Sequence, residues 1–593
     1  VRWEKNETIY LHNYSLTLET GLLKCESIIG KYHGCDFCQQ KLFHSGQAIL
    51  CNAHNYLVTN HSSNARAVDQ PIAGLIRDLI LNSENPGSSG MKPFFPLLLF
   101  VGLVGVHLAE VGAEGQTKRI DRPNILLILI DDMSWNGPSC YGNKLVNTPH
   151  IDRLASRGMK FTSAYVTPIC SPTRTELLTG RHSARMHITK ALPGLPQVNP
   201  WARHKGPILS RGIPISARTL AEALKDQGYR TAHLGKWHVG MNYTVRDPKQ
   251  MAKVRDEFGF DQSFHGFSSF HRDKSVTALT DEAIRFLGKD DEKPFFVYLA
   301  HQTVHTHCAA PGDVVKQYLT EKRKPSGEFP YEGINNATYL AMIKHLDNET
   351  GRLLKALEET SLDKNTIVVF LSDNGGATRI TTNDPLRRGK CTSYEGGIRV
   401  PMLVSWPGVI RAGSVCDRAV HASLDLYPTL LDAAGGQKKK GQVLDGKNLM
   451  PLLKENEAVA REAIFWHVPH YIAQSGNHFR VTPHSAVRKG DFKLIEFFND
   501  YFEYDEQART AIKNAAEDYA PYPIDCAKYV PKGKVELFNL REDVGEKNDL
   551  SSEMPDKVAE LKDLLARWRK SVGAQMPVKN PRFNPKFEQP RKK

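Results

Sequence analysis

Residues 168–180 read Pro168-Ile169-Cys170-Ser171-Pro172-Thr173-Arg174-Thr175-Glu176-Leu177-Leu178-Thr179-Gly180. Pro172 suits the first turn of a helix, where its missing N–H would have no intrahelical partner, and the apolar pair Leu177-Leu178 gives that helix a buried side. The stretch therefore predicts a helix that begins close to Cys170. At such a start the exposed backbone N–H groups and the positive end of the helix dipole favour an anion. Arg174, one turn along, is placed to reach back towards an oxygen held near residue 170. The plainer reading of the same residues is a buried free cysteine before a capped helix.

Outward from this stretch the chain alternates strand and helix patterns. Asn124 to Ile130 is a short continuous apolar run that ends in Asp131-Asp132 and reads as a buried strand of a parallel sheet. Similar runs span Phe295 to Leu299 and Thr366 to Leu371, the latter ending in Ser372-Asp373-Asn374-Gly375-Gly376. Helical spacing marks His150 to Ser156, Thr219 to Gln227, Val276 to Leu287 and Tyr339 to Leu357. The fold class expected is α/β, a mostly parallel central sheet sandwiched by helices. Near Gly435 to Gly441 the composition shifts, and a smaller C-terminal α+β subdomain is expected beyond it. Its short antiparallel sheet takes in Ala486 to Phe497 and Val535 to Leu540. Its final helix carries Val558, Leu561, Leu564, Leu565 and Trp568 on a core-facing side.

In a parallel sheet, ligands collect beyond the carboxyl ends of the strands, and the polar residues of interest fall there. Asp131, Asp132, Asp373 and Asn374 offer hard oxygen ligands of the kind calcium or magnesium prefers, although in isolation such pairs are ordinary turn and cap residues. In Gly228-Tyr229-Arg230-Thr231-Ala232-His233-Leu234-Gly235-Lys236-Trp237-His238, Lys236 and His238 stand two apart on an extended segment and point the same way, which suits a joint anion site. His301-Gln302-Thr303-Val304-His305-Thr306-His307 follows another strand, and His305 and His307 compete for one role there. Lys390 lies in Arg388-Gly389-Lys390-Cys391-Thr392-Ser393-Tyr394-Glu395-Gly396-Gly397, whose glycines serve backbone geometry and not a phosphate loop.

The Cys-x-Pro-x-Arg frame of residues 170–174 resembles the signature of the formylglycine-dependent sulfatases in the alkaline phosphatase superfamily, and residues 228–238 resemble that family's second signature. Ser423-Leu424-Asp425-Leu426-Tyr427-Pro428-Thr429 looks like a further landmark of the family. The resemblance covers roughly residues 124–573. It implies that a maturation enzyme oxidises Cys170 to formylglycine (3-oxoalanine). It further implies that one calcium ion is held by Asp131, Asp132, residue 170, Asp373 and Asn374. Arg174, Lys236 and Lys390 would then contact the sulfate or the nucleophile. His238 would take a proton so that sulfate is eliminated, and His305 would serve the leaving oxygen. The substrate implied is a sulfate ester, with sulfated carbohydrate favoured; a phosphonate or phosphodiester hydrolase of the same superfamily and a non-catalytic binder of sulfated glycans are the alternatives. His182 to Leu195, Trp201 to Leu209 and Trp466 to Tyr471 are candidate rim loops.

Composition bounds the partners. The chain has 593 residues, a net charge of +13 and 24% charged residues, which suits a globular protein that meets polyanions. No Lys/Arg block with interleaved aromatics is present, so nucleic acid is not expected as a partner. Met91-Lys92 followed by the apolar run Pro93 to Ala109 and small residues to Ala113 has the anatomy of a secretory signal peptide, and the run is short and poor for a stable membrane span. This implies export to the periplasm or the extracellular space. Residues 1–90 then stand as a doubtful extension ahead of Met91; the rival is a small module in which Cys25, Cys35, Cys38, Cys51, His33, His44 and His54 bind zinc. Six cysteines follow Met91, too few for a disulfide scaffold once Cys170 is set aside. The organisation expected is an extension over 1–90, a signal peptide over 91–113, a catalytic domain over 121–440, a C-terminal subdomain over 441–576 and a flexible tail over 577–593.

Overall fold

The computed structural model describes residues 8–11, 14–19 and 22–27 and, between 122 and 587, all but 194–201, 241–247, 267–271, 290–291, 321–335, 379, 474–478 and 505–526. The chain divides into two compact units, Val1–Thr117 and Lys118–Lys593. In the first, strands Thr8–Leu11, Tyr14–Glu19 and Leu22–Ser27 form an antiparallel sheet. The expected signal peptide over 91–113 lies outside the described residues, as do all the expected zinc ligands except Cys25, which falls in the Leu22–Ser27 strand.

The second unit is built on a nine-stranded sheet. Its strands are β1 (Asn124–Ile130), β2 (Met159–Tyr165), β3 (Arg230–Gly235), β4 (Gln262–Phe264), β5 (Phe295–Ala300), β6 (Thr366–Ser372), β7 (Arg399–Ser405), β8 (Ser414–Cys416) and β9 (Val420–His421). They lie in the order β8-β2-β7-β6-β1-β5-β3-β4, with β9 also beside β2, and every pairing is parallel except the two made by β7. The continuous apolar runs are explained by burial on both faces. Ile125, Leu127 and Leu129 of β1 enter one core with the signature helix Cys170–Thr179 and helix Ala422–Ala433. Leu126, Ile128 and Ile130 enter the other, with helices Pro149–Arg157, Val276–Leu287 and Ala337–Glu359. The sandwiched α/β architecture is thus the one expected, with the predicted helices reproduced to within a few residues.

Pairing register positions the site. Ile130 stands opposite Ser372, Leu129 opposite Ala300, and Ala300 opposite Gly235. Strands β6, β1, β5 and β3 therefore end level with one another, and the residues that follow each leave the sheet at one edge.

Past this sheet, strands Ile464–Val468, His484–Lys489, Phe492–Phe497 and Lys534–Asn539 form the expected antiparallel sheet, in that order. Helix Pro555–Ser571 covers it, with Leu561, Leu564 and Leu565 against Val487, Leu494 and Leu537. The sheet is joined to the catalytic unit by a buried ion triad. Lys493 Nζ lies 2.8 Å from Glu395 and 2.6 Å from Glu546, and all three side chains are fully buried. Burial and the neighbouring Glu395 push Glu546 up to about 7, against the pull of Lys493. Of the stretch 577–593 expected as a flexible tail, Val578–Lys579 pairs antiparallel with His204–Lys205 and Asn580 donates to the Ala202 carbonyl at 2.7 Å, while residues 588–593 lie outside the described ones. No helix among the described residues is long and apolar enough to cross a membrane, and no disulfide joins Cys140, Cys170, Cys308, Cys391 or Cys416.

Replacing Lys493 by Met leaves two buried carboxylates facing each other without their ammonium. The expected loss is about 3–5 kcal/mol. A thermal melt should show a clearly lower midpoint for Lys493→Met; an unchanged midpoint would remove the triad as the fastening of the C-terminal sheet.

Candidate active site

Each strand that ends at the common edge delivers part of one polar cluster. Asp131 and Asp132 follow β1, Lys236 and His238 follow β3, His305 follows β5, and Asp373 and Asn374 follow β6. The backbone stitches these turns together: Asp131 N–H donates to Thr303 O at 2.9 Å, Val304 N–H to Asp131 O at 2.8 Å, and Asp373 N–H to Ile130 O at 2.9 Å. Asp132 adopts a positive φ of 65°, which turns its carboxylate back over the edge. The segment carrying Lys236 and His238 departs from the extended geometry expected. Strand β3 stops at Gly235, and His238 has a φ of 56°. The two side chains are brought together by this turn and not by strand alternation.

The signature helix runs Cys170–Thr179 and is buried along its whole length, with Cys170 as its first residue and Pro172 in its first turn. Its rear is pinned by Glu176, which accepts from the Ser423 hydroxyl at 2.6 Å and lies 3.3 Å from His421 and 3.6 Å from His182. Its front carries Arg174, whose Nε and Nη2 both donate to Asp373 Oδ2, at 3.0 and 2.7 Å, while Nη1 donates to the Lys236 carbonyl at 2.9 Å. Lys390 arrives on a loop that packs backbone to backbone: a Cβ on Gly375 would stand 1.8 Å from the Gly396 oxygen, so only glycine permits this approach.

Three cations thus meet three carboxylates. Arg174 pairs with Asp373, Lys236 Nζ donates to Asp131 Oδ2 at 2.5 Å, and Lys390 Nζ donates to Asp132 Oδ1 at 2.5 Å. Asn374 Nδ2 also donates to Asp132 Oδ1, at 2.7 Å. Burial alone would raise the Asp131 carboxyl, but Lys236, His305, Arg174 and Lys390 together hold it well below the ordinary range. Burial, and then Asp131, push Asp373 well above that range despite Arg174. Two buried oxygens, Asp131 Oδ1 and Asn374 Oδ1, have no hydrogen-bond partner. Carboxylate and carboxamide oxygens left in this way, beside a carboxyl driven up by burial and then by its acidic neighbour, fit a hard cation. The Cys170 Sγ and one oxygen each of Asp131 and Asp373 lie within 4.8 Å of one another, as do ligand atoms of Asp131, Asp132 and His305.

The histidines are held neutral. Burial, then Lys236 and Arg174, push His238 well below its usual value, and its Nε2 donates to the Leu192 carbonyl at 2.7 Å, leaving Nδ1 as the unprotonated atom. Burial and Lys390 push His305 down to about 4. Its Nδ1 bonds the Thr306 carbonyl, and its Nε2 lies 3.8 Å from Asp132 Oδ2. His307, the competing residue of that segment, is exposed. Lys274 escaped the sequence reading. It is buried, donates from Nζ to the His305 carbonyl at 2.6 Å, and is pushed down to about 8 by burial. It sits at a positive φ of 54° within no recognisable motif, and a lone lysine there carries no periodic or spacing signal.

An acidic cluster, three cations and a helix N-terminus at the carboxyl edge of a mostly parallel sheet define an enzyme for tetrahedral anionic esters, of the alkaline phosphatase superfamily. Residues 123–436 match the sulfatase family model, and residues 389–520 match that of the N-sulphoglucosamine sulphohydrolase C-terminal region. The chain belongs to the sulfatase family and is a sulfuric ester hydrolase. A sulfatase of Formosa agariphila is 29% identical, covering 81% of this chain and 94% of its own length, and mouse arylsulfatase J is 28% identical over 80% of each. Among solved structures, Ps i-CgsB is 27% identical with a TM-score of 0.58, covering 78% of this chain and 95% of that one; its complex with k-i-k-neocarrahexaose is 25% identical with a TM-score of 0.57, covering 79% and 95%. The fold is shared also with a phosphonate monoester hydrolase of Agrobacterium radiobacter, 19% identical with a TM-score of 0.54 and covering 77% of this chain and 99% of that one.

The two competing histidines separate cleanly by substitution. His305→Ala is expected to lower aryl sulfate kcat about 10²–10⁴-fold, the range of a lost general acid or base. His307→Ala should change it by less than about threefold, since surface substitutions away from a site are usually close to neutral. A larger loss in His307→Ala than in His305→Ala would exchange their roles.

Proposed function

We propose that this sulfatase is exported and cleaves sulfate esters of carbohydrates by way of residue 170 and a calcium ion. The observation that carries the reading is the meeting of Cys170, at a helix N-terminus, with Asp131 and Asp373 inside one buried, charge-balanced cluster. Oxidation of Cys170 to formylglycine by a maturation enzyme supplies, in hydrated form, one hydroxyl to attack sulfur and a second whose deprotonation expels sulfate. Calcium held by Asp131, Asp132, Asp373 and Asn374, with residue 170 completing the set, supplies charge neutralisation.

The chain's own residues do the rest. Arg174, fixed by two bonds to Asp373, cannot swing away and holds its positive charge under residue 170. Lys236, after strand β3, and Lys390, on its loop, bind sulfate oxygens, each kept in place by its carboxylate. His238 accepts a proton at Nδ1, because Leu192 already occupies its Nε2 hydrogen. His305 serves the leaving oxygen at Nε2. An incoming sulfate adds negative charge there and raises the ring's proton affinity, offsetting the burial and the Lys390 charge that keep it neutral beforehand. Lys274 positions His305 through its carbonyl.

Carbohydrate is favoured as the substrate by the basic balance of the chain and by the oligosaccharide bound to the 25%-identical Ps i-CgsB. Export rests on the apolar segment within residues 91–113. Sequencing the secreted protein's N-terminus by mass spectrometry is expected to begin it close to residue 114; peptides from before Met91 in that product would overturn cleavage there.

The mechanism is tested with aryl sulfate against the matching aryl phosphodiester, using protein produced together with a formylglycine-generating enzyme. Sulfate turnover is expected to dominate, to vanish in Cys170→Ala, and to fall on chelation and return with calcium. Preference for the phosphodiester would move the chain to the hydrolase alternative. Retained turnover in Cys170→Ala would remove residue 170 from the chemistry.

A further inference from the structure

Arg174, Lys236 and Lys390 each have a carboxylate, and Lys274 donates to the His305 carbonyl. One lysine beside the same mouth differs. Lys190 is partly buried, and among the described residues its ammonium has neither a hydrogen bond nor an ion pair. A partly desolvated ammonium without a counter-charge costs stability, so an arrangement that keeps one calls for a ligand that completes it.

Its surroundings put it next to the reacting centre. Two residues along, the Leu192 carbonyl accepts from His238 and the Leu192 N–H donates to the Ser171 hydroxyl at 3.0 Å, so this segment runs along the start of the signature helix. On the other side, Thr189 Oγ1 bonds His470 Nε2 at 2.8 Å. His470 is itself backed by Gly206, where a Cβ would stand 2.2 Å from its Nδ1. Lys190 is within electrostatic reach of the His470 ring and of the Cys391 thiol. Cys391 donates its N–H to the Pro168 carbonyl at 2.8 Å and follows Lys390 directly. Ile169, Cys170, Cys391, Val468, Ile472 and Val481, with Ala191 against them, form one apolar cluster around this position. The described parts of the three rim loops named from the sequence, 182–193, 202–209 and 466–471, therefore meet at His470, with Lys190 next to the Thr189 that bonds it.

We propose that Lys190, with His470 and Thr189 beside it, forms a second anion subsite that binds a further sulfate or carboxylate on the same substrate, next to the ester being cleaved. The inference rests on the sulfatase reading of the site and adds to it a preference for doubly anionic saccharides. The cations at the sulfate position are balanced within the protein, whereas Lys190 takes its counter-charge from the ligand. The apolar wall from Ile169 to Val481 suits the carbon face of a sugar ring that joins the two anions.

Affinity measured by calorimetry in a Cys170→Ala background separates this from catalysis. Three saccharides of one backbone serve as probes: a neutral one with a single sulfate ester, one with two sulfates, and one with a sulfate and a uronate carboxylate. Both doubly anionic probes, or the one whose geometry fits, should bind more tightly than the first, and Lys190→Met should weaken that binding about tenfold or more relative to the monosulfate, the usual worth of a charged hydrogen bond. Lys190→Arg should keep most of the difference. A Lys190→Met variant that weakens all three probes equally, or none, overturns the subsite, as does a wild-type-like background that shows no preference for a second anion. If the sulfatase reading itself fails, aryl sulfate turnover is absent from the enzyme with Cys170 intact, while the difference between probes is still read in the binding experiment. Should Lys190→Met not fold, the comparison of the three probes on the unsubstituted Lys190 background decides.

Discussion

Arg174 and Asp373 form a fully buried ion pair that joins the first turns of the signature helix to the end of strand β6. The pair costs desolvation on both sides, and its geometry is what recovers that cost: two guanidinium nitrogens on one carboxylate oxygen, with a third on the Lys236 carbonyl. Because the same guanidinium touches the turn after β3, the helix, β6 and β3 are set by one planar group. The remaining groups of the site take their places relative to it. A cluster held in this way starts close to the arrangement that binding requires, so less has to be reorganised when a charged ester arrives.

The balance of charge explains why the cluster survives burial. Three carboxylates and three cations alternate at the carboxyl edge of the sheet, and each cation lies on a different element from its partner: helix with strand end in the first pair, the ends of the two strands that flank β5 in the second, loop with strand end in the third. The pairs therefore act as cross-links between elements as well as neutralising one another. The proton equilibria follow from the same crowding, with Asp131 held down by the charges around it, Lys236 foremost, and Asp373 driven up by burial and then by the carboxylate beside it.

Much of this was legible from residue order because the site's parts stand at the ends of continuous apolar runs, and parallel strands bring such ends to one edge. Asn124–Ile130 and Thr366–Ser372 are short, apolar without a break over 125–130 and 367–371, and closed by paired polar residues, so both the strand and its chemistry could be read. Strands β2 and β7 mix polar and apolar residues and carry no comparable signal. The geometry at His238 was missed because alternation assumes an extended chain, whereas that residue sits in the left-handed region. Lys274 and Lys190 owe their importance to neighbours far away in sequence, which no local pattern records. The paired start of the tail was hidden for the same reason: two exposed residues, one apolar and one charged, find a strand partner more than 370 positions earlier.

That late pairing has a consequence for how the family member can be varied. The loop that backs His470 is fastened by residues 578–580, so this wall is finished by residues far along the chain from those of the charged edge, which is complete by Lys390. Changes at residues 578–580 thus act on that wall and leave the charged edge untouched. That short strand works as an interchangeable fitting beside an otherwise fixed machine.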